Sequence, residues 1–244
     1  MIDVIKIKQE KNPYLINESL IHWTGRGKSI EDAFDNLTKI VESSSLRLSR
    51  NPINEKRTNT TVETSMICFT DIPIEKSSNH CLKYGFIGIG FKKGDLIHYG
   101  ANPVLYYVKE RNDFIDFFDD SIFFGDIGIL DDDGYMSWIR SVFQPYDNGH
   151  QEYYEREWRI NRILPMRNAE CIDKHKKLID SDRKRFKGDI IRVDNEEKSD
   201  NDMFFMEFDK AIIDCIIVPE THIEQAYSLI NKNKIDCKLI IIKQ

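Results

Sequence analysis

The sequence predicts a mixed α+β fold in which short strands outnumber helices. Helical spacing of apolar residues is confined to a few separated stretches, the clearest at residues 30–41 and 220–231. Between them, short runs with the alternating or continuous apolar pattern of strands recur along the chain. Helices dispersed among strands are typical of an α+β or mixed α/β domain. Because no internal repeat and no linker rich in Pro, Gly or Ser divides the 244 residues, we expect a single domain over residues 1–244.

The first half of the chain contains the most distinct patterns. The residues Ser-Leu-Ile-His-Trp-Thr at positions 19–24 predict a strand, and a glycine-rich break then leads into an amphipathic helix with Ser29 as its N-cap. A stretch rich in Asn and Thr indicates a polar loop over residues 51–64. Further strands are predicted at residues 46–48, 66–69 and 85–91, and a helix at residues 74–84.

The second half continues the alternation of strands and helices. The glycines of the strand at residues 85–91 lack the following helix of a dinucleotide or phosphate loop, so they indicate close packing. The acidic, aromatic segment up to residue 143 is predicted to be helical in pieces, and a lysine-rich excursion over residues 167–187 interrupts the sheet. Strands are predicted at residues 103–108, 153–160, 212–218 and 238–242, and a helix at residues 220–231.

The composition indicates a globular protein of the cytoplasm. Hydrophobic residues make up 41% of the chain and charged residues 31%, which excludes a disordered tail protein, a collagen-like repeat and a coiled coil. We expect no signal peptide and no membrane span, because no run approaches the ~18–20 apolar residues that a span requires. The five cysteines are scattered and odd in number, which favours reduced thiols. No Cys-x-x-Cys or His-x-x-x-His spacing occurs, so we expect no metal.

The net charge of −6 is unevenly distributed. Residues 109–135 hold nine acidic and two basic residues, whereas residues 156–192 hold twelve basic and six acidic ones. An acidic chain is a poor candidate for a non-specific nucleic-acid coat, which depends on an excess of Lys and Arg. Two interpretations stay open: two solvated faces of opposite sign, or a local basic surface that binds RNA.

The strongest local pattern is Glu155-Arg156-Glu157-Trp158-Arg159 on a predicted strand. Residues two apart on a strand share a face, so Glu155, Glu157 and Arg159 are expected to point the same way. Buried carboxylates beside a guanidinium are costly unless paired or functional. The alternative is an exposed strand face with alternating charge.

Two further segments contain residues of types that take part in catalysis or ligand binding. His22-Trp23-Thr24 ends the first strand and opens onto glycines, although a single histidine beside an apolar strand is more often a core residue than a ligand. Cys68-Phe69-Thr70-Asp71-Ile72-Pro73 precedes a helix that carries several polar and aromatic side chains. Those helical residues are Ser77, Ser78, His80 and Tyr84.

Together these segments resemble the AbiGi-type abortive-infection proteins of phage-resistance systems. The resemblance covers roughly residues 20–159 and includes the helix that carries Asn36-Leu37-x-x-Ile40 and the runs NHCLKYGFIGIGF and GANPVLY. The layout is also similar to the wider ADP-ribosyltransferase fold, including DarT-like toxins that modify nucleic acid. That likeness implies an ADP-ribosyltransferase-like split two-sheet core with peripheral helices and a cleft that binds NAD.

The resemblance implies roles for individual residues. The second carboxylate of the Glu-x-Glu pair, Glu157, is the expected catalytic group, and Glu155 with Arg159 is expected to face the acceptor. Either Arg47 or Arg50 resembles the basic residue near the NAD diphosphate. Phe69 departs from the family pattern, in which a tyrosine is common at this place. The residues expected to bind NAD are His22, Trp23, Thr24, Asn36, Arg47, Phe69, Thr70, His80 and Tyr84.

These residue types suit the chemistry that the resemblance implies. Cleavage of the bond between ribose and nicotinamide passes through an oxocarbenium-like cation, which a fixed carboxylate stabilises. We therefore expect a cytoplasmic, NAD-dependent mono-ADP-ribosyltransferase toxin of an anti-phage system. Its acceptor is a macromolecule, with nucleic acid favoured over protein because the basic stretch next to Glu157 suits a phosphate backbone. A single strand is favoured over a duplex, because a base in a duplex is hard to reach. The alternatives are a non-catalytic antitoxin or partner that keeps the fold, and an RNA-binding module.

Overall fold

The fold is described from a computed structural model, and the described residues are 18–55, 60–108, 142–146, 156–162 and 205–243. They contain twelve strands and four α-helices. The strands are β1 Ser19–Trp23, β2 Ser45–Arg47, β3 Ser49–Glu55, β4 Thr60–Thr70, β5 Gly88–Lys92, β6 Asn102–Pro103, β7 Leu105–Val108, β8 Phe143–Tyr146, β9 Glu157–Arg162, β10 Phe205–Glu207, β11 Ile213–Pro219 and β12 Lys238–Ile242. The α-helices are α1 Ile30–Ser43, α2 Ser78–Tyr84, α3 Lys93–His98 and α4 Ile223–Asn233.

An eight-stranded sheet forms the centre of the fold. Its strand order is β12-β11-β5-β1-β4-β9-β6, with β3 also paired to β4. β11 and β12 are parallel, and the other pairs of this sheet are antiparallel. Two small two-stranded sheets, β10-β2 and β7-β8, accompany it. The predicted α+β class is therefore confirmed, whereas the strand pairing of the described residues does not confirm a split two-sheet core.

Strand β4 pairs with three neighbouring strands, β1, β3 and β9. Thr70 pairs with Ile21 of β1 and Glu157 of β9, so these two strands lie on opposite edges of β4. Ser65 pairs with β3 and β9 in the same way, so β3 lies on the same edge as β1. On this edge β1 pairs with β4 at Thr70, and the pairing of β3 with β4 ends at Met66. Residues 67–69 therefore have no strand partner on this edge within the described part of the chain.

The two faces of the sheet bury different clusters. Side chains alternate along each strand, so neighbouring residues belong to opposite faces. We call the face packed against α1 and α4 the core face; its residues include Leu20, Ile67, Phe69, Ile89, Phe91, Ile160, Ile216 and Val218. We call the other the α2 face, because Cys81 of α2 packs there; its apolar residues include Ile21, Cys215, Ile217, Ile240 and Ile242.

Most of the predicted elements are confirmed. The predicted cap of α1 is present, since the Ser29 hydroxyl accepts a hydrogen bond from the Asp32 backbone N–H at 3.0 Å. The predicted loop at residues 51–64 is wrong, because residues 51–55 of β3 pair with residues 60–64 of β4 over this stretch. Pairing overrides the low strand propensity of its Asn residues, and Pro52 is compatible with a strand that pairs on one edge. Helix α3 and strand β10 were not predicted.

Two glycines allow close packing on the α2 face, as predicted. A Cβ at Gly88 would lie 3.0 Å from the Trp23 ring. A Cβ at Gly90 would approach the sulfur of Cys215 on β11 to 2.4 Å. Real Cβ atoms essentially never approach a neighbour as closely as at Gly90 and seldom as closely as at Gly88, and the packed interior leaves little room for adjustment. The glycines of β5 therefore make room for larger side chains of β1 and β11.

We predict that Gly90→Ala lowers the free energy of unfolding by about 1–3 kcal/mol, because the new methyl group overpacks the contact with Cys215. Urea denaturation measures this change. Gly94→Ala is the matched control, since a Cβ at Gly94 meets no atom within 4 Å. The double variant Gly90→Ala/Cys215→Ala should lose less free energy of unfolding than the sum of the losses of the two single variants. Equal stability of the Gly90 and Gly94 variants would contradict the packing argument.

Candidate functional site

The register of β1, β4 and β9 divides the candidate residues between the two faces of the sheet. Ile21, Thr70 and Glu157 lie directly opposite one another on adjacent antiparallel strands and therefore share the α2 face. His22 and Phe69 are next to these residues in sequence and point to the core face. The structure therefore does not bring the imidazole of His22 and the carboxylate of Glu157 onto a common surface.

The side chain of His22 bonds to the part of β4 that has no strand partner on the β1 edge. Its Nδ1 lies 2.9 Å from the backbone carbonyl of Cys68, and its ring contacts Phe69 edge-on with 5.8 Å between centroids. A carbonyl only accepts hydrogen bonds, so Nδ1 carries the hydrogen. Burial lowers the pKa of His22, although the bond to Cys68 acts in the opposite direction. The ring is therefore neutral near pH 7, with Nε2 left as an acceptor.

The residues after His22 connect β1 to α1. The Thr24 hydroxyl donates to the carbonyl of Ala33 at 3.0 Å, and the Thr24 N–H donates to the carbonyl of Ile87 at 3.0 Å. Asn36 of α1 donates in turn to the carbonyl of Thr24 at 3.4 Å. These contacts give Thr24 and Asn36 a structural role in orienting α1 against the sheet.

Trp23 points to the α2 face, with its ring packed over Gly88. Its indole Nε1 is buried and has no hydrogen-bond partner among the described residues. Buried donors are nearly always satisfied in folded proteins. Trp23 is therefore a predicted NAD-binding residue with a buried donor that has no partner in the described part of the chain.

Glu157 and Arg159 form a two-point ion pair on the α2 face. Arg159 Nε donates to Glu157 Oε1 at 2.8 Å, and an η nitrogen donates to Oε2 at 2.8 Å. The side chains are only 12% and 9% exposed. Burial alone would lower the pKa of Arg159, but the hydrogen bonds and charge of Glu157 outweigh this effect and raise it. The pattern therefore predicted correctly that the two side chains share a face, and Glu157 has its charge balanced by a guanidinium.

Cys68 and Thr70 lie opposite this ion pair on β4, Cys68 across from Arg159 and Thr70 across from Glu157. Cys68 is exposed as a residue, but partial burial of its sulfur and the nearby Glu157 carboxylate both raise the pKa of its thiol. A thiol held in its protonated form is a poor nucleophile. The Thr70 hydroxyl accepts a hydrogen bond from the Ile72 N–H at 3.2 Å and so helps to end β4.

A second charged group, which the sequence did not reveal, holds the start of β9. The Asp71 carboxylate is buried, and its Oδ2 accepts from Lys93 at 2.8 Å and from Arg156 at 3.0 Å. The Asp71 N–H also donates to the Arg156 carbonyl at 3.1 Å. Arg156 has a φ of 46°, a left-handed conformation that is uncommon for a residue other than glycine. These contacts fix the residue before Glu157 and thereby orient the start of β9.

Helix α2 carries two further candidates, His80 and Tyr84. Their ring centroids are 5.3 Å apart, and His80 is buried. Arg26 and Lys83 lie over the Tyr84 ring, 5.6 Å and 5.0 Å from its centroid. This arrangement places Tyr84 among cations at the edge of the fold.

The remaining candidates lie elsewhere. Arg47 is exposed on β2, where it pairs with Phe205 of β10 in a separate two-stranded sheet. Arg50 belongs to β3, but its side chain is outside the described part of the structure, as is the whole of Glu155.

The described residues contain no group of three or more His, Cys, Asp or Glu side chains placed to hold a metal ion. None of the helices described is both long and apolar enough to cross a bilayer.

Comparison with known proteins gives one match. Residues 39–121 are similar to the family described as "putative abortive phage resistance protein AbiGi, antitoxin". The matched stretch covers less than half of the chain; it includes Phe69, Thr70 and α2 but neither His22 nor Glu157. No curated protein and no solved structure matches the chain.

The lowered pKa of His22 generates a pH prediction. The unfolded chain binds a proton at His22 below about pH 6.5, whereas the folded chain resists it, so stability should fall as the pH drops below that value. One such group contributes a slope of up to about 1.4 kcal/mol per pH unit. His22→Asn keeps an N–H donor but removes the titration, and should flatten the urea-denaturation profile between about pH 6.5 and 5. His98→Asn, at an exposed position, is the control; equal profiles for the His22 variant and the wild type would contradict the prediction.

Proposed function

We propose that this chain is an antitoxin-type component of an abortive phage-resistance system that acts by binding a protein partner, its toxin. The observation that carries the proposal is the match of residues 39–121 to a family described as an antitoxin of phage resistance. An antitoxin implies a toxin as its partner. This function requires a stable surface for recognition and does not require a reactive centre.

The geometry of the polar groups supports a binding role over a catalytic one. Both oxygens of Glu157 accept hydrogen bonds from Arg159, so little of its negative charge is available to stabilise a sugar cation. The thiol of Cys68 is held in its protonated form. His22 donates to a backbone carbonyl from the opposite face of the sheet. Each of these groups has a structural partner that accounts for its position.

Co-expression tests the proposal. We expect the chain to be harmless when expressed alone and to restore growth to cells that express the toxin, for which the product of the neighbouring gene is the first candidate. Provided that purified Glu157→Gln still unfolds cooperatively, this variant should retain the rescue, because the proposed function does not use the carboxylate chemically. Growth arrest by the chain alone, relieved by Glu157→Gln, would reverse the assignment.

A second candidate function is NAD-dependent mono-ADP-ribosyl transfer to nucleic acid or protein. It is favoured by the α2 face, where a largely buried ion pair, Glu157–Arg159, lies on the same side of the sheet as the unpaired donor of Trp23. Strongly coupled buried charges are concentrated at functional sites. In this reaction the bond from ribose to nicotinamide breaks, nicotinamide leaves, and an acceptor nucleophile bonds to the ribose carbon and loses its proton. Glu157 would have to turn away from Arg159 to support the sugar cation.

An assay for nicotinamide release separates the two functions. Purified protein is incubated with NAD labelled in its nicotinamide ring, with and without RNA, single-stranded DNA and cell extract. Under the antitoxin proposal we expect no release above a blank without protein. Release by the wild type and by Glu42→Gln, an exposed control, together with its loss in Glu157→Gln at a temperature where that variant is shown to be folded, would establish the transferase instead.

A further inference from the structure

We draw no further inference here: the strongest candidate, the side-chain cluster on the α2 face in which the buried indole nitrogen of Trp23 lies on the same side of the sheet as the Glu157–Arg159 ion pair, belongs to the site already described and to the second candidate function.

Discussion

The pairing register of β4 is the constraint on which the remaining geometry depends. This strand pairs with β9 along one edge and with β1 and β3 along the other, so it decides which side chains of three neighbours share a face. A shift by one residue would exchange the two faces of a strand. The register separates His22 and Phe69 from Glu157 and Arg159. It also leaves the carbonyl of Cys68 for His22 to satisfy.

Two buried charged groups complement this register at the start of β9. Asp71 holds Lys93 and Arg156, and Glu157 holds Arg159, so both of these carboxylates have a cation beside them. Removing one partner of such a pair is expensive, because an uncompensated charge remains in a poorly solvated place. These groups therefore determine how β9 enters the sheet. The charge of each carboxylate is balanced by the cations that it holds in place. That is the physical reason for preferring a binding function to a catalytic one.

The sequence was most informative where local patterns decide the structure. The spacing of apolar residues and the Ser29 cap predicted α1, and the apolar runs predicted β5, β11 and β12. It failed at residues 51–64, where pairing with β4 outweighs the polar composition. The shared face of Glu157 and Arg159 followed from strand alternation alone. The partners of Asp71 could not be predicted, because they lie far along the chain and meet only through tertiary structure, and a resemblance in sequence did not specify the face on which His22 lies.

The parallel pair β11–β12 has a consequence for the order of assembly. These strands and the intervening α4 are contiguous in the chain, so their contacts close over a short loop. The pairing of β4 with β9 instead joins residue 70 to residue 157 and closes a much longer loop. Because chain closure costs more entropy over longer loops, the C-terminal unit has the lower kinetic barrier. We expect it to provide a template on which β5, then β1 and finally the β4–β9 ladder add during folding.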